Sequence, residues 1–406
     1  MDVGAVIILV LEAAFSLYLL KRQGLLRSPC NIALALFFTA LAFVPRALVM
    51  DYVTLDYSDF LARWVDYFRQ NGGFAALRKQ IGNYNIPYLY FLALFSYSSI
   101  DDLYLIKLLS IFFDILLAWS ATLIVSRFTV SVPKRMGVFF TVLMLPTVFL
   151  NGALWGQCDS IYVSLVLLGI YCALDDRPIL SMVLATLSFS FKLQAVFILP
   201  AYIVLWIYGK FNWKHFFVFP LTYVLIVMPA VLLGRPFIDT ISIYFDQAGT
   251  VGTALNYNSP SAYSFFQYSL PENYNALASK LGVILAFIFM LGVLMTCFLR
   301  RTRLNELAVL AAAALLVIGI PYLLPHMHER YFFAADILSV IIAFIVPPYA
   351  ALPLLVQFAS LLGYHAYLKM RFLLLMDRGA SALAFAIFML LVLFFSASRH
   401  AEKRKN

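Results

Sequence analysis

Long apolar segments recur along the whole chain, and they limit its fold more than any other feature. Many of them are long enough, or nearly long enough, to cross a bilayer, which takes ~20 predominantly apolar residues in a helix. With 64% hydrophobic and 12% charged residues, the chain carries about half the charge of an ordinary soluble protein. No short segments alternate polar and apolar residues as membrane β-barrels do. The pattern predicts an all-α, polytopic integral membrane protein.

Short basic segments predict how these helices are oriented, because Lys and Arg collect in cytoplasmic loops. If all the basic segments are cytoplasmic, the chain has about thirteen transmembrane helices, with the N-terminus outside and the C-terminus inside. The basic segments are 21–27, 126–135, 209–215, 299–303 and the C-terminal tail. The predicted spans are 3–20, 31–50, 103–125, 136–150, 159–174, 179–191, 195–208, 216–233, 281–299, 307–321, 333–346, 350–366 and 380–398.

Two long loops, 51–102 and 234–280, then lie on the outer side. The aromatic segment 84–99 belongs to the first of them, because counting it as a span breaks the alternation of charge. We expect an interfacial or re-entrant helix there, where tyrosines are common. The whole chain, 1–406, is predicted to form a single membrane-embedded domain. Its most polar segments all fall on the outer face.

The segment 55–74 of the first outer loop contains three aspartates that follow the end of a span: Asp56, Asp59 and Asp66. Aspartates are ordinary in solvated loops, and we interpret Asp66 in this way. For Asp56 and Asp59 two interpretations stay open. They are solvated loop residues, or one of them is a general base that removes a proton from a hydroxyl.

The segment "NGALWGQCDSIY", residues 151–162, places Asn151, Trp155, Gln157 and Asp159 between two predicted spans. Asp159 directly precedes an apolar run, so it is a candidate helix N-cap. The same turn has the amide, indole and carboxylate groups that hydrogen-bond a sugar. Both interpretations are compatible with one another.

Lys192 in "FKLQ" is the only charged residue between Arg177 and Lys210. A lysine at the centre of a span costs roughly 2.5–3.5 kcal/mol on insertion scales, so such residues usually face a cavity or a partner. We place it at the outer end of a span and predict that it binds an anionic group. Other charges in apolar segments, Arg46, Lys107 and Asp114, are candidates for structural pairing.

The segment "HMHER" concentrates His326, His328, Glu329 and Arg330 in five positions. On a helix, His326 and Glu329 would share a face. Arginine suits bidentate recognition of phosphate, and Glu329 would orient a histidine or pair with Arg330. A zinc site is the weaker alternative, because the spacing is not H-E-x-x-H and no further ligands lie nearby.

Other classes of function lack their sequence signals. The four cysteines show neither disulfide nor zinc spacing. Glycine-rich phosphate loops are absent, and no basic patch with interleaved aromatics predicts nucleic-acid binding. We therefore expect no metal site and no obligatory cofactor. A divalent metal would be compatible with the chemistry but is not expected.

These motifs together resemble the GT-C superfamily of polytopic glycosyltransferases. The resemblance is to bacterial relatives of GPI mannosyltransferase II and to the ER glucosyltransferases that use dolichyl-phosphate glucose. It rests on the acidic first loop at Asp56, on "YNIPYLYF" (84–91), on "NGALWGQCDSIY" (151–162), on "FSFKLQAVFILP" (189–200) and on "HMHERYFF" (326–333). Ile86 departs from it, because relatives often have proline at this position.

The resemblance implies transfer of one hexose, with inversion, from a polyprenyl-phosphate donor to an extracytoplasmic glycan or lipid-linked acceptor. Asp56 would be the general base, with Asp59 as its rival. The donor phosphate would bind Arg330, His326, His328 and Lys192. The sugar and acceptor cavity would be lined by Trp155, Gln157, Asp159, Asn151, Gln194 and Glu329. The expected location is a bacterial plasma membrane.

The main alternatives are a secondary transporter and a flippase for lipid-linked glycans. Transporters usually bind their substrate near the membrane midplane and contain internal repeats. Here the polar motifs lie at one surface, and no repeat is visible in the sequence. Neither alternative requires a catalytic base at Asp56.

Overall fold

A computed structural model describes residues 1–249, 252, 254–266 and 271–400 of the chain. The described residues form seventeen α-helices and one short two-stranded parallel sheet, so the predicted all-α membrane fold is confirmed. The helices in chain order are α1 Val3–Arg22, α2 Pro29–Val49, α3 Ala62–Gln70, α4 Ile86–Phe95, α5 Asp102–Ser126, α6 Val132–Leu143, α7 Pro146–Phe149, α8 Asp159–Leu174, α9 Pro178–Phe191, α10 Pro200–Ile207, α11 Val218–Leu232, α12 Phe237–Gly249, α13 Asn275–Leu299, α14 Glu306–Leu323, α15 Phe333–Ile345, α16 Ala351–Leu368 and α17 Met376–His400. The strands are β1 Asn256–Tyr257 and β2 Met327–His328.

By length and composition, eight helices within the described ranges can cross a membrane, or nine if α6 and the bent segment after it form one broken span. Each of the predicted spans contains a helix, but four of them contain only short ones. These short apolar helices are α8, α9, Leu193–Ile207 and α15. Whether they cross the bilayer stays a prediction, because helices this short need partners around them. Helix α4 lies within the segment 84–99, as predicted, and its position at the membrane interface stays a prediction.

The chain divides into two compact units. The first contains Met1–Tyr171, Ile179–Leu193 and Phe216–Thr250, and the second contains Cys172–Pro178, Gln194–His215 and Val251–Asn406. The prediction of one functional domain remains a prediction. Helix α5 is mostly buried within the first unit and α14 within the second. By contrast, α11 and α13 expose many apolar side chains, as expected for helices that face lipid.

The loop 51–102, predicted to lie on the outer side, packs on an aromatic core in the first unit. Its members include Trp64 and Phe68 of α3 and Tyr88 of α4, all of them buried. Tyr84 contacts both Trp64 and Tyr88 through its ring. The amphipathic pattern of α3 explains this packing, because apolar residues at helical spacing face one side. This core holds the segment that begins at Asp56 against the rest of the unit.

Candidate active site

The chain between α2 and Asp56 is held by a buried lysine. Lys107 of α5 is fully buried, and its Nζ donates to the carbonyl oxygens of Val49, Met50 and Tyr52 at 3.0, 2.9 and 2.7 Å. These carbonyls belong to the last residue of α2 and the turn after it, where main-chain acceptors lack helical partners. Lys107 therefore fixes the start of the loop 51–102, and the partners of this candidate for structural pairing are main-chain carbonyls.

A tight turn follows the π-helix Leu150–Trp155. Gly156 has φ = 77°, a left-handed conformation that other residues adopt at a cost. The amide of Gln157 donates to the carbonyl of Asn151 at 2.9 Å. The hydroxyl of Ser110 donates to the carbonyl of Gln157 at 2.7 Å. Both main-chain groups of Gln157, the residue after Gly156, are thus held by hydrogen bonds.

Two side chains of this turn converge on one carboxylate. Trp155 Nε1 donates to Asp56 Oδ2 at 2.8 Å, and Gln157 Nε2 donates to the same oxygen at 2.6 Å. Trp155 and Gln157 are buried, with exposed fractions of 1% and 4%, whereas Asp56 is half-buried. The hydroxyl of Thr54 also donates to the carbonyl of Trp155 at 3.2 Å. Segments about a hundred residues apart therefore meet at Asp56.

The rival aspartates lie outside this arrangement. Asp59 is half-exposed and faces Arg63 at 3.9 Å, an exposed i,i+4 pair. Asp66 is exposed and bonds Arg69 at 2.7 Å, in agreement with its interpretation as a surface residue. Of the three aspartates of the segment 55–74, Asp56 is the one whose carboxylate meets the "WGQ" turn.

Asp159 and Lys192 form a buried ion pair. Lys192 Nζ lies 2.5 Å from Asp159 Oδ1, with side-chain exposures of 9% and 1%. Asn151 Nδ2 donates to the other carboxylate oxygen, Oδ2, at 2.8 Å. Asp159 is also the first residue of α8. The anionic group that Lys192 meets in this structure is therefore a carboxylate of the same unit.

A second buried ion pair joins α2 and α5. Arg46 of α2 donates to Asp114 of α5 at 3.0 Å, so these two of the three candidates for structural pairing bind each other. Ser160 Oγ donates to Asp114 Oδ1 at 2.5 Å, and Arg46 also donates to the carbonyl of Leu143 at 2.7 Å. The backbone of Gly152 runs against the Asp114 carboxylate, where a Cβ would lie 3.0 Å from an oxygen.

Sequence reasoning missed the polar face of α5. Lys107, Ser110 and Asp114 lie three and four residues apart, so they share one helical face. Each contacts a different part of the site: the start of the loop, the carbonyl of Gln157 and the pair with Arg46. This spacing within an apolar helix predicts a face that contacts protein, since polar residues inside transmembrane segments usually face protein.

In the second unit, His326 is held by the protein at both ring nitrogens. Nδ1 lies 2.7 Å from the carbonyl oxygen of Ala254, so Nδ1 carries the proton and donates, and Nε2 lies 3.1 Å from Ser279 Oγ. Strand β2 begins directly after His326 and pairs with β1. The expectation that His326 and Glu329 share a helical face is wrong, because residues 327–328 form a strand and side chains on strands alternate.

Glu329 is the buried anion of this segment. Arg330 Nε donates to Glu329 Oε1 at 3.1 Å, and His328 Nδ1 lies 3.8 Å from Oε2, an electrostatic contact. Burial raises the pKa of Glu329, but the interaction with His328 and the charge of Arg330 outweigh it and leave the pKa below its ordinary value. The ring of His328 stacks on Tyr257 at 4.8 Å and contacts Tyr331.

Gln194, also predicted to line the site, lies half-buried on the short 3₁₀ helix Leu193–Phe197 of the second unit. The predicted residues thus form two groups. Around Asp56 and Asp159, the first unit brings together Trp155, Gln157, Asn151 and Lys192; the second unit contains Gln194, His326, His328, Glu329 and Arg330. Within the part of the chain that the structure describes, no three His, Cys, Asp or Glu side chains are arranged to hold a metal ion.

Comparison with known protein families matches residues 92–208 to the N-terminal domain of alpha-(1->6)-mannopyranosyltransferase. The match covers α5 to α10, the "WGQ" turn and Lys192, but less than a third of the chain. No curated protein matches the chain. The match supports glycosyltransferase activity, of the GT-C mannosyltransferase type, in an integral membrane protein.

Proposed function

We propose that this membrane glycosyltransferase moves one hexose, with inversion, from a polyprenyl-phosphate sugar to a glycan or lipid-linked acceptor. We further propose that the reaction takes place on the extracytoplasmic side of a bacterial plasma membrane. Mannose is the hexose that we propose first, because the matching family consists of mannopyranosyltransferases. The observation that carries the proposal is the Asp56 carboxylate, half-buried and held by Trp155 and Gln157.

Asp56 is the general base in this proposal. The acceptor hydroxyl gives its proton to Asp56, and its oxygen attacks the anomeric carbon of the sugar. The bond between that carbon and the phosphate oxygen breaks, and the polyprenyl phosphate leaves with the electron pair. A carboxylate placed within hydrogen-bonding distance of the hydroxyl contributes about 10²–10⁴-fold to such a step. Two N–H groups on one oxygen hold the carboxylate in a defined orientation.

The donor phosphate is assigned to Arg330 and His328, with the backbone around His326 supporting them. A fixed guanidinium stabilises the negative charge that grows on the phosphate as the bond breaks. The contact between Arg330 and the buried Glu329 supports this role, because it orients the guanidinium. Lys192 keeps a proposed role in phosphate binding only if it leaves Asp159, since the two form a buried pair.

Transfer of tritium-labelled mannose to an acceptor in membranes tests the proposal. The acceptor is supplied by membranes of source cells from which the gene for this protein has been deleted. The purified full chain is added together with either tritiated polyprenyl-phosphate mannose or tritiated GDP-mannose. We expect label transfer from the polyprenyl donor alone. The variant Asp56→Asn should lose at least about 100-fold in turnover, while Asp66→Asn, an exposed aspartate of the same loop, stays within about twofold of wild type.

Three results would contradict the proposal. Transfer from GDP-mannose alone would exclude the polyprenyl donor. Full turnover by Asp56→Asn, with loss in Asp59→Asn, would move the base to the rival aspartate. Facilitated movement of a lipid-linked glycan across proteoliposomes, without label transfer, would support a flippase instead of an enzyme.

A further inference from the structure

We propose that Trp155 and Gln157 are positioning residues for the Asp56 carboxylate and do not bind the sugar as their main role. The inference rests on the proposed function, since it assigns what these two residues do for the base. The family resemblance implied the other role, a place in the wall of the sugar cavity. The two roles predict different kinetic changes.

The hydrogen-bond donors of Trp155 and Gln157 converge on one oxygen of Asp56. Trp155 Nε1 and Gln157 Nε2 lie 2.8 and 2.6 Å from Asp56 Oδ2, distances typical of strong hydrogen bonds to a carboxylate. An indole has one N–H group, and in Trp155 it points at Asp56. The hydrogen-bonding group that Trp155 would offer a sugar is therefore already used.

The turn that contains Trp155 and Gln157 is also held in place. Trp155 and Gln157 are separated by Gly156 alone, and its positive φ reverses the chain so that both side chains face the same carboxylate. The main chain of Gln157 is bonded on both sides, to Asn151 and Ser110. Such a support restricts the carboxylate to one orientation, which active sites require to within a fraction of an ångström.

Asp159, two residues after Gln157, holds the other end of the turn. Its pairing with Lys192 and Asn151 anchors the chain where the turn enters α8. The pair is buried, so solvent competes little with it. The turn is thus held on one side by the π-helix that ends at Trp155 and on the other by the ion pair of Asp159.

The arrangement has a chemical consequence. Both N–H groups donate to Oδ2, so together they fix the direction in which the Asp56 carboxylate faces. If one donor is lost, the carboxylate rotates more freely and spends less time in the reactive orientation. Misplacement of a reacting group by about 1 Å can cost about 100-fold in rate. The binding of the donor lipid does not depend on this orientation.

The test measures turnover number and KM for polyprenyl-phosphate mannose in the membrane transfer assay. Gln157→Met keeps the length of the side chain and removes the N–H donor. We expect kcat to fall roughly 10- to 100-fold, the loss of one hydrogen bond to a charged group, with KM within about twofold. Gln70→Met replaces an exposed glutamine at the end of α3 and serves as the matched control. Trp155→Phe, which keeps an aromatic ring, provides a second variant if Gln157→Met does not fold.

A double-mutant comparison separates this inference from the proposed function. In the Asp56→Asn background, Gln157→Met should cause no further loss, because residues that act as a unit are strongly non-additive. A raised KM with unchanged kcat, or additive losses, would overturn the positioning role while Asp56 stays the base. Full turnover by Asp56→Asn would instead overturn the proposed function.

Discussion

The buried pair of Lys192 and Asp159 allows a quantitative prediction. Lys192→Met keeps most of the side-chain volume but leaves the Asp159 carboxylate buried without its cation. Removing one partner of a buried ion pair typically costs about 3–5 kcal/mol, because a charge then stays uncompensated in a medium of low polarity. With side-chain exposures of 9% and 1%, little solvent is available to reduce this cost. We expect a loss in this range in the free energy of unfolding.

The double variant Asp159→Asn/Lys192→Met should recover more than half of that loss. It removes both charges together, and the amide oxygen introduced at position 159 can still accept the hydrogen bond from Asn151. Arg63→Met is the matched control, because it breaks the exposed pair with Asp59 and should cost less than about 1 kcal/mol. Unfolding by SDS in mixed micelles, followed by circular dichroism, gives each free energy.

The reasoning would be refuted if Lys192→Met cost no more than Arg63→Met, or if the double variant were no more stable than the single one. Either result would mean that Lys192 does not compensate Asp159. Its charge would then be available for the donor phosphate, as the sequence alone predicts.

Two further predictions concern the second unit. Arg330→Ala should weaken binding of tritiated polyprenyl-phosphate mannose at least about tenfold, because a charge-assisted hydrogen bond is lost, and unchanged binding would remove its phosphate role. Glu329 has a pKa below its ordinary 4.5 in the folded state, so its contribution to stability is complete above that value and is lost as the pH falls towards the lowered pKa. Unfolding free energies measured from pH 6 to 3 should therefore fall less steeply in Glu329→Gln than in wild type, and identical slopes would contradict this.

Most helices of this protein could be read from its sequence, since every predicted apolar span contains a helix, whereas α3 and α12 lie in the segments predicted as loops. Membrane helices satisfy their own backbone hydrogen bonds, so hydropathy alone locates them. Hydropathy does not say whether a short helix such as α8 or α15 crosses the bilayer, since this depends on what surrounds it. The π-helices at Tyr57–Leu61 and Leu150–Trp155 had no sequence signal that we recognised.

The candidate site was predictable by residue type but not by partner. Asp56, Trp155 and Gln157 were each singled out, yet no periodicity joins positions about a hundred residues apart. Lys192 was predicted to meet an anion, and the anion that it meets is Asp159. Only tertiary packing decides such pairings. For the same reason His326 was assigned to a helical face, although it directly precedes the short strand β2, which pairs with β1.

Single-turnover transfer by Asp56→Asn tests the central claim most directly. The variant is saturated with tritiated polyprenyl-phosphate mannose, its bound label is counted, and acceptor membranes are then added. If Asp56 is the general base, the variant binds the donor as wild type does and transfers its sugar at least about 100-fold more slowly. Transfer at the wild-type rate from fully bound donor would contradict the account.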